Sequence, residues 1–155
     1  MNIDQLRVLM EEAAANVTER HDRPLPVTVV LPLEGATRVT ALDGFPDDDT
    51  ERKDALSVFA AQHMVPANAA CFGLLAEATG PDGEDLLVVV YGARRRGSHV
   101  IAAMFDEDGV LTEFTPSEPL ENAAMPFVQP LQHAADMAEA PDDPAAGGLP
   151  IITTS

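Results

Sequence analysis

The chain is poor in several residue types. Among its 155 residues there is one cysteine, one lysine, one tyrosine and no tryptophan. A single cysteine, Cys71, forms no internal disulfide, which fits a reducing compartment, and the cytoplasm is the expected location. The longest apolar runs contain about five to ten residues, too short to span a bilayer. The first residues, MNIDQLRVLMEE, lack the basic and apolar regions of a signal peptide.

Positive charge is scarce as well. The chain has 9 Lys and Arg against 26 Asp and Glu, a formal charge of −17. All nine bases lie at or before Arg96, and residues 97–155 contain ten acids and no Lys or Arg. Such a surface repels phosphate backbones, so direct nucleic-acid binding is disfavoured, whereas a basic partner is favoured. Arginine in preference to lysine, together with abundant Ala, Asp, Gly and Pro, suggests a GC-rich bacterial or phage coding sequence.

Catalytic signatures are missing too. No phosphate-cradling loop, dinucleotide fingerprint, nucleophile elbow, H-E-x-x-H or paired-cysteine motif occurs, and no cofactor is expected. Asp106, Asp108 and Gly109 copy part of a calcium loop. Met104 and Thr115 then fall where its first and last ligands belong, so a hairpin turn explains them better. His21, His63, His99 and His133 sit on four separate elements, and no metal site is expected.

What remains is a readable α+β pattern. Ile3, Leu6, Met10, Ala13, Ala14 and Val17 make one stripe of a helix over 3–21, with Asn2 and Gln5 as a capping box and Met1 as a staple on Leu6. Arg23-Pro24 and Pro26 end that helix. PVTVVLPL and ATRVTALD form a hairpin over 26–43, turning at Glu34-Gly35, and Pro32 suggests that its first arm lies or finishes at an edge. A second helix spans 50–64, capped by Asp48 with Glu51, buried through Ala55, Leu56, Phe59, Ala60 and Met64, and stopped by Pro66.

Residues 70–115 read as an antiparallel meander with strands at 70–79, 86–92, 99–105 and 110–115. LLVVVYG is its centre, because an unbroken apolar run implies that both faces are covered. The sheet therefore has five to six mostly antiparallel strands, with the two helices covering it. From Pro116 onward lie seven of the 13 prolines and a short helix near 131–139, with Leu131, Ala134, Ala135 and Ala138 inward. One domain over 1–140 is expected. Residues 141–155 then form a tail: PDDPAAGG has linker composition, and LPIITTS suits a loose end, an edge strand or docking on another subunit.

Arg94, Arg95 and Arg96 stand consecutively at a hairpin tip, with His99 close by. Three adjacent guanidiniums invite an anion, a partner's acidic surface or the chain's own acid-rich C-terminal segment. Equally, they suit a solvated turn that discourages edge aggregation. Three functions follow from these features. The first is a non-enzymatic interaction module: an adaptor, accessory subunit or regulator that meets a protein partner or associates with itself. The second is an acidic decoy of DNA, as in anti-defence proteins. The third is a small enzyme or ligand-binding domain with a pocket near Tyr91, Arg94 and His99.

Overall fold

In the computed structural model the described residues are 2–22, 25–33, 35–120, 125–139 and, for their backbone, 151–154. The staple by Met1, the helix stop at Arg23-Pro24, Glu34 of the first turn, the boundary at 140 and the linker 141–148 lie outside the described residues.

A seven-stranded sheet separates two helical layers. Helix α1 (Ile3–Arg20) carries the expected capping box and buries Leu6, Met10, Ala13, Ala14 and Val17. Strands β1 (Val27–Leu33) and β2 (Ala36–Leu42) form the first hairpin. Helix α2 (Asp49–Phe59) starts where the Asp48 carboxylate accepts the Glu51 amide. A widened π turn (Ala60–Met64) and a last turn, α3 (Val65–Ala67), continue it. The helix therefore ends at Ala67, three residues beyond the expected end at Met64, and Pro66 does not stop it. The π turn relieves the contacts of a residue without an N–H, and the chain leaves the helix only at Asn68, in the left-handed conformation with φ 52°.

Strands β3 (Cys71–Thr79), β4 (Asp85–Ala93) and β5 (Gly97–Met104) pair antiparallel in sequence order. The expected strand over 110–115 does not form as such. That stretch touches β5 through one bridge, Phe105 to Leu111, and then runs as a strap in which Thr112 and Thr115 bond to Met104 and Ala102. The sixth antiparallel strand is the two-residue β6 (Glu118–Pro119). A 3₁₀ turn (Pro126–Val128) leads into helix α4 (Gln129–Met137), and β7 (Ile151–Thr154) adds to β2 in parallel.

Strand order is β6-β5-β4-β3-β1-β2-β7. β1 is thus interior, although its proline suggested an edge. Its ladder with β3 covers only Thr28–Val30, so Pro32 lies beyond it and only β2 pairs alongside. β4 is central and alternates cleanly. Leu87, Val89 and Tyr91 join the core under α1, while Val88 and Val90 join the core under α2 and α4. Each fully buried Leu, Val or Met of these two cores contributes about 1.5–3 kcal/mol by leaving water. The α1 layer approaches the sheet closely at Gly73, where an added Cβ would stand 2.0 Å from the Met10 sulfur.

Candidate functional site at the arginine turn and the helix α4 groove

The β4–β5 connection is a three-residue loop closed by the pair Ala93 and Gly97. The Arg96 amide donates to the Ala93 carbonyl at 2.9 Å, and the Arg94 amide to that of Ala70 at 2.7 Å. Arg95 adopts φ 61°, a strained conformation for a residue with a side chain. The Asp136 carboxylate of α4 holds it there, accepting the Arg95 amide at 2.8 Å through Oδ1.

Gln132, one turn earlier, completes the joint. Its Nε2 donates to Asp136 Oδ1 at 2.8 Å and to the Ala93 carbonyl at 3.0 Å. Its Oε1 accepts from Ser98 Oγ at 2.9 Å. The approach depends on Gly92, whose absent side chain leaves room for that oxygen.

The arginine turn and the C-terminal helix are therefore joined through a backbone amide rather than a guanidinium. Arg94 is half-buried, while Arg95 and Arg96 are exposed. Among the described residues no carboxylate lies within ion-pair distance of either exposed arginine.

His99 lies on the other face of the sheet. Its ring stacks on Tyr91 with centroids 5.6 Å apart and planes 24° off parallel, and its Nε2 meets the Arg96 carbonyl at 3.3 Å. Tyr91 is buried, and its hydroxyl bonds Ser117 Oγ at 2.7 Å. Ser98 and His99 point to opposite faces, as neighbours on a strand must, and form no nucleophile–base pair. An open cleft of about 510 Å³ is lined by Arg96, Ser98, His99, Gln132, His133 and Asp136. Tyr91 and Arg94 do not line it, so of the trio Tyr91, Arg94 and His99 only the two rings come together. Among the described residues no cluster of His, Cys, Asp or Glu suits a metal ion.

Cys71 is buried on β3, and burial raises its thiol pKa above the usual value. The folded chain is expected to leave a thiol reagent such as a disulfide-exchange dye unreacted at neutral pH, with one equivalent reacting on denaturation. A raised pKa also means that stability is retained below the unfolded thiol's pKa and falls above it, where only the unfolded chain ionises readily.

The sequence reading missed a second concavity. A groove of about 700 Å³ runs between the α2–α3 helix and α4. Ala60, Met64 and Ala134 form its floor. Val65 and Met137, 65% and 68% exposed, stand on its two walls, with Lys53 and Glu139 at its rim. The available sequence signal was an apolar residue off the buried stripe on each of two helices. Nothing in either helix alone says that the two residues face each other. No family model matches the chain, and neither a curated protein nor a solved structure does so. Among the described residues no helix is long and apolar enough to cross a membrane.

Proposed function

We propose that this chain is a non-enzymatic protein-interaction module, an adaptor, accessory subunit or regulator, that receives an amphipathic helix of a partner in the groove between α2–α3 and α4. The observation that carries this reading is the pair Val65 and Met137, large apolar side chains left in water on facing helices above an apolar floor. Two parallel walls of side chains are the geometry by which grooves take up helices. The partner helix carries apolar anchors flanked by Lys or Arg, because it meets a body of charge −17 with Glu139 at the rim of the groove.

Arg95, Arg96 and His99 supply a second contact, for an acidic group at one end of the partner. Held on a turn fixed by α4, they set its orientation. Neutralising both, Arg95→Ala with Arg96→Ala, is expected to weaken binding about tenfold at low salt and less at high salt, through loss of the contact to that acidic group. Stopped-flow binding across ionic strength reads both effects in the dissociation rate, and an unchanged rate removes the turn from the interface.

A photo-crosslinking residue at exposed Ala61, against a control at exposed Val8 on α1, tests the groove in the source cell. The expected result is one adduct from the groove position, mapped to a basic amphipathic helix. Adducts of the same kind from both positions count against this function. The decoy alternative needs rows of carboxylates on one face. Here Asp4, Glu12 and Glu19 lie on α1, whereas Asp49, Glu51 and Asp54 lie on α2 across the sheet. That distribution favours the groove. We also propose that the protein works in the reducing cytoplasm, where its one buried thiol stays reduced.

A further inference from the structure

The two edges of the sheet are closed by different means. Along β5 the cover is a strap tied at many points. The Thr112 amide donates to Met104 O at 2.8 Å and the Thr115 amide to Ala102 O at 2.8 Å. Thr115 Oγ1 accepts the Ala102 amide at 3.1 Å, and Leu120 N–H donates to Ser98 O at 2.9 Å. Arg7 of α1 reaches the Thr115 carbonyl at 3.0 Å, and Pro116 and Pro119 interrupt any continuing ladder.

Along β2, among the described residues, the cover is β7 alone. Four residues, Ile151–Thr154, pair with Thr37–Thr40 in the one parallel ladder among the described residues, all the others being antiparallel. β2 has seven residues, so Ala36, Ala41 and Leu42 stand outside the β7 ladder. The ladder also begins at a flaw: Thr37 is fully buried, and its hydroxyl has no hydrogen-bond partner among the described residues. A parallel ladder is slightly weaker per residue than an antiparallel one, and a buried hydroxyl without a partner counts against the closed arrangement.

We propose that β7 is a displaceable cover and that the β2 edge is an acceptor for an extended segment of a partner protein, added parallel to β2. The chain's own occupant gives the chemistry of what fits: a neutral, β-branched run such as Ile-Ile-Thr-Thr. A partner strand of six or seven residues uses the whole edge where β7 uses four positions, and so makes more main-chain hydrogen bonds. The tethered cover competes at high effective concentration, which keeps the edge closed against short or ill-matched strands. The groove and this edge share no residue, so the two interactions succeed or fail independently.

The test uses the full chain in three forms, with a fluorescent peptide of residues 149–155 as probe. Arg38 and Ile152 are direct neighbours across the ladder, so the pair Arg38→Cys with Ile152→Cys locks β7 in place when oxidised and releases it when reduced. Ile152→Pro weakens β7 permanently. The locked chain is expected to bind no peptide, the reduced chain to bind it, and Ile152→Pro to bind it about tenfold tighter than the native chain as the competing closed state is removed. Equal binding by the locked and reduced forms, including none by either, overturns the proposal even if Ile152→Pro fails to fold. So does an Ile152→Pro chain that pairs with itself at β2 and ignores the peptide.

Discussion

Replacing Gly92 with alanine is expected to destabilise the fold by about 3 kcal/mol, the sum of overpacking and a broken polar joint. The added Cβ would stand 2.2 Å from Gln132 Oε1, 2.7 Å from Phe72 Cε1 and 3.0 Å from the Gly97 carbonyl. The glutamine end can swing away. The phenylalanine ring, itself wholly buried, and the turn backbone cannot. If Gln132 swings away, Ser98 and the Ala93 carbonyl lose its hydrogen bonds, and the Asp136 carboxylate that fixes Arg95 loses its brace. For a chain of this length each kcal/mol is worth about 2–4 °C, so a thermal melt is expected to fall by roughly 6–12 °C.

Gly73→Ala is the comparison that makes this specific. There all three of the nearest atoms belong to the Met10 side chain, a flexible thioether that can repack. A smaller loss at Gly73 than at Gly92 is expected. The reverse order would mean that the Gln132 joint contributes little to holding α4.

Local chemistry made much of this fold readable. Asn2 with Gln5 marks one helix start because each side chain caps the other's free amide, and Asp48 marks the other because its carboxylate accepts the Glu51 amide. Asp82-Gly83 and Asp108-Gly109 mark turns because both glycines take positive φ. Apolar runs bounded by short turns placed β3, β4 and β5 correctly. The same reading misled at VLTEFT, where two threonines bond to β5 in place of a regular ladder. Strand order was not legible either: pairing β1 with β3 joins segments more than 40 residues apart, and no local pattern encodes it.

The candidate site divides in the same way. The position and exposure of Arg95 and Arg96 follow from a hairpin tip. Their anchoring by Asp136 does not, since the two partners lie 41 positions apart and the contact is to a main-chain amide. The groove was invisible for a deeper reason. A stripe of buried residues tells which side of a helix meets the sheet, but not how far apart two helices settle on it. That spacing is set by Phe59, Phe72, Phe127 and Leu131 beneath them, which pack into one core from four different elements.

Substituting both groove-wall residues, Val65→Asp with Met137→Asp, is expected to abolish helix docking while leaving the fold intact. The two sites are 65% and 68% exposed, and exposed substitutions away from caps and buried networks usually change stability by within about 0.5 kcal/mol each. Binding responds on another scale. Apolar anchors at the centre of an interface commonly cost about 2 kcal/mol or more apiece when lost, so two of them lower affinity roughly a thousandfold. The new carboxylates add little general repulsion, since the partner helix is basic, so the loss reports lost apolar contact. Val58→Asp supplies the control: it is 53% exposed on α2 but does not line the groove, and it adds charge of the same sign to the same helical layer. Titration calorimetry against the crosslinked partner segment separates the cases. Full affinity in the Val58 variant with none in the double variant assigns docking to the groove. Equal weakening by both would instead trace the effect to charge on this layer as a whole.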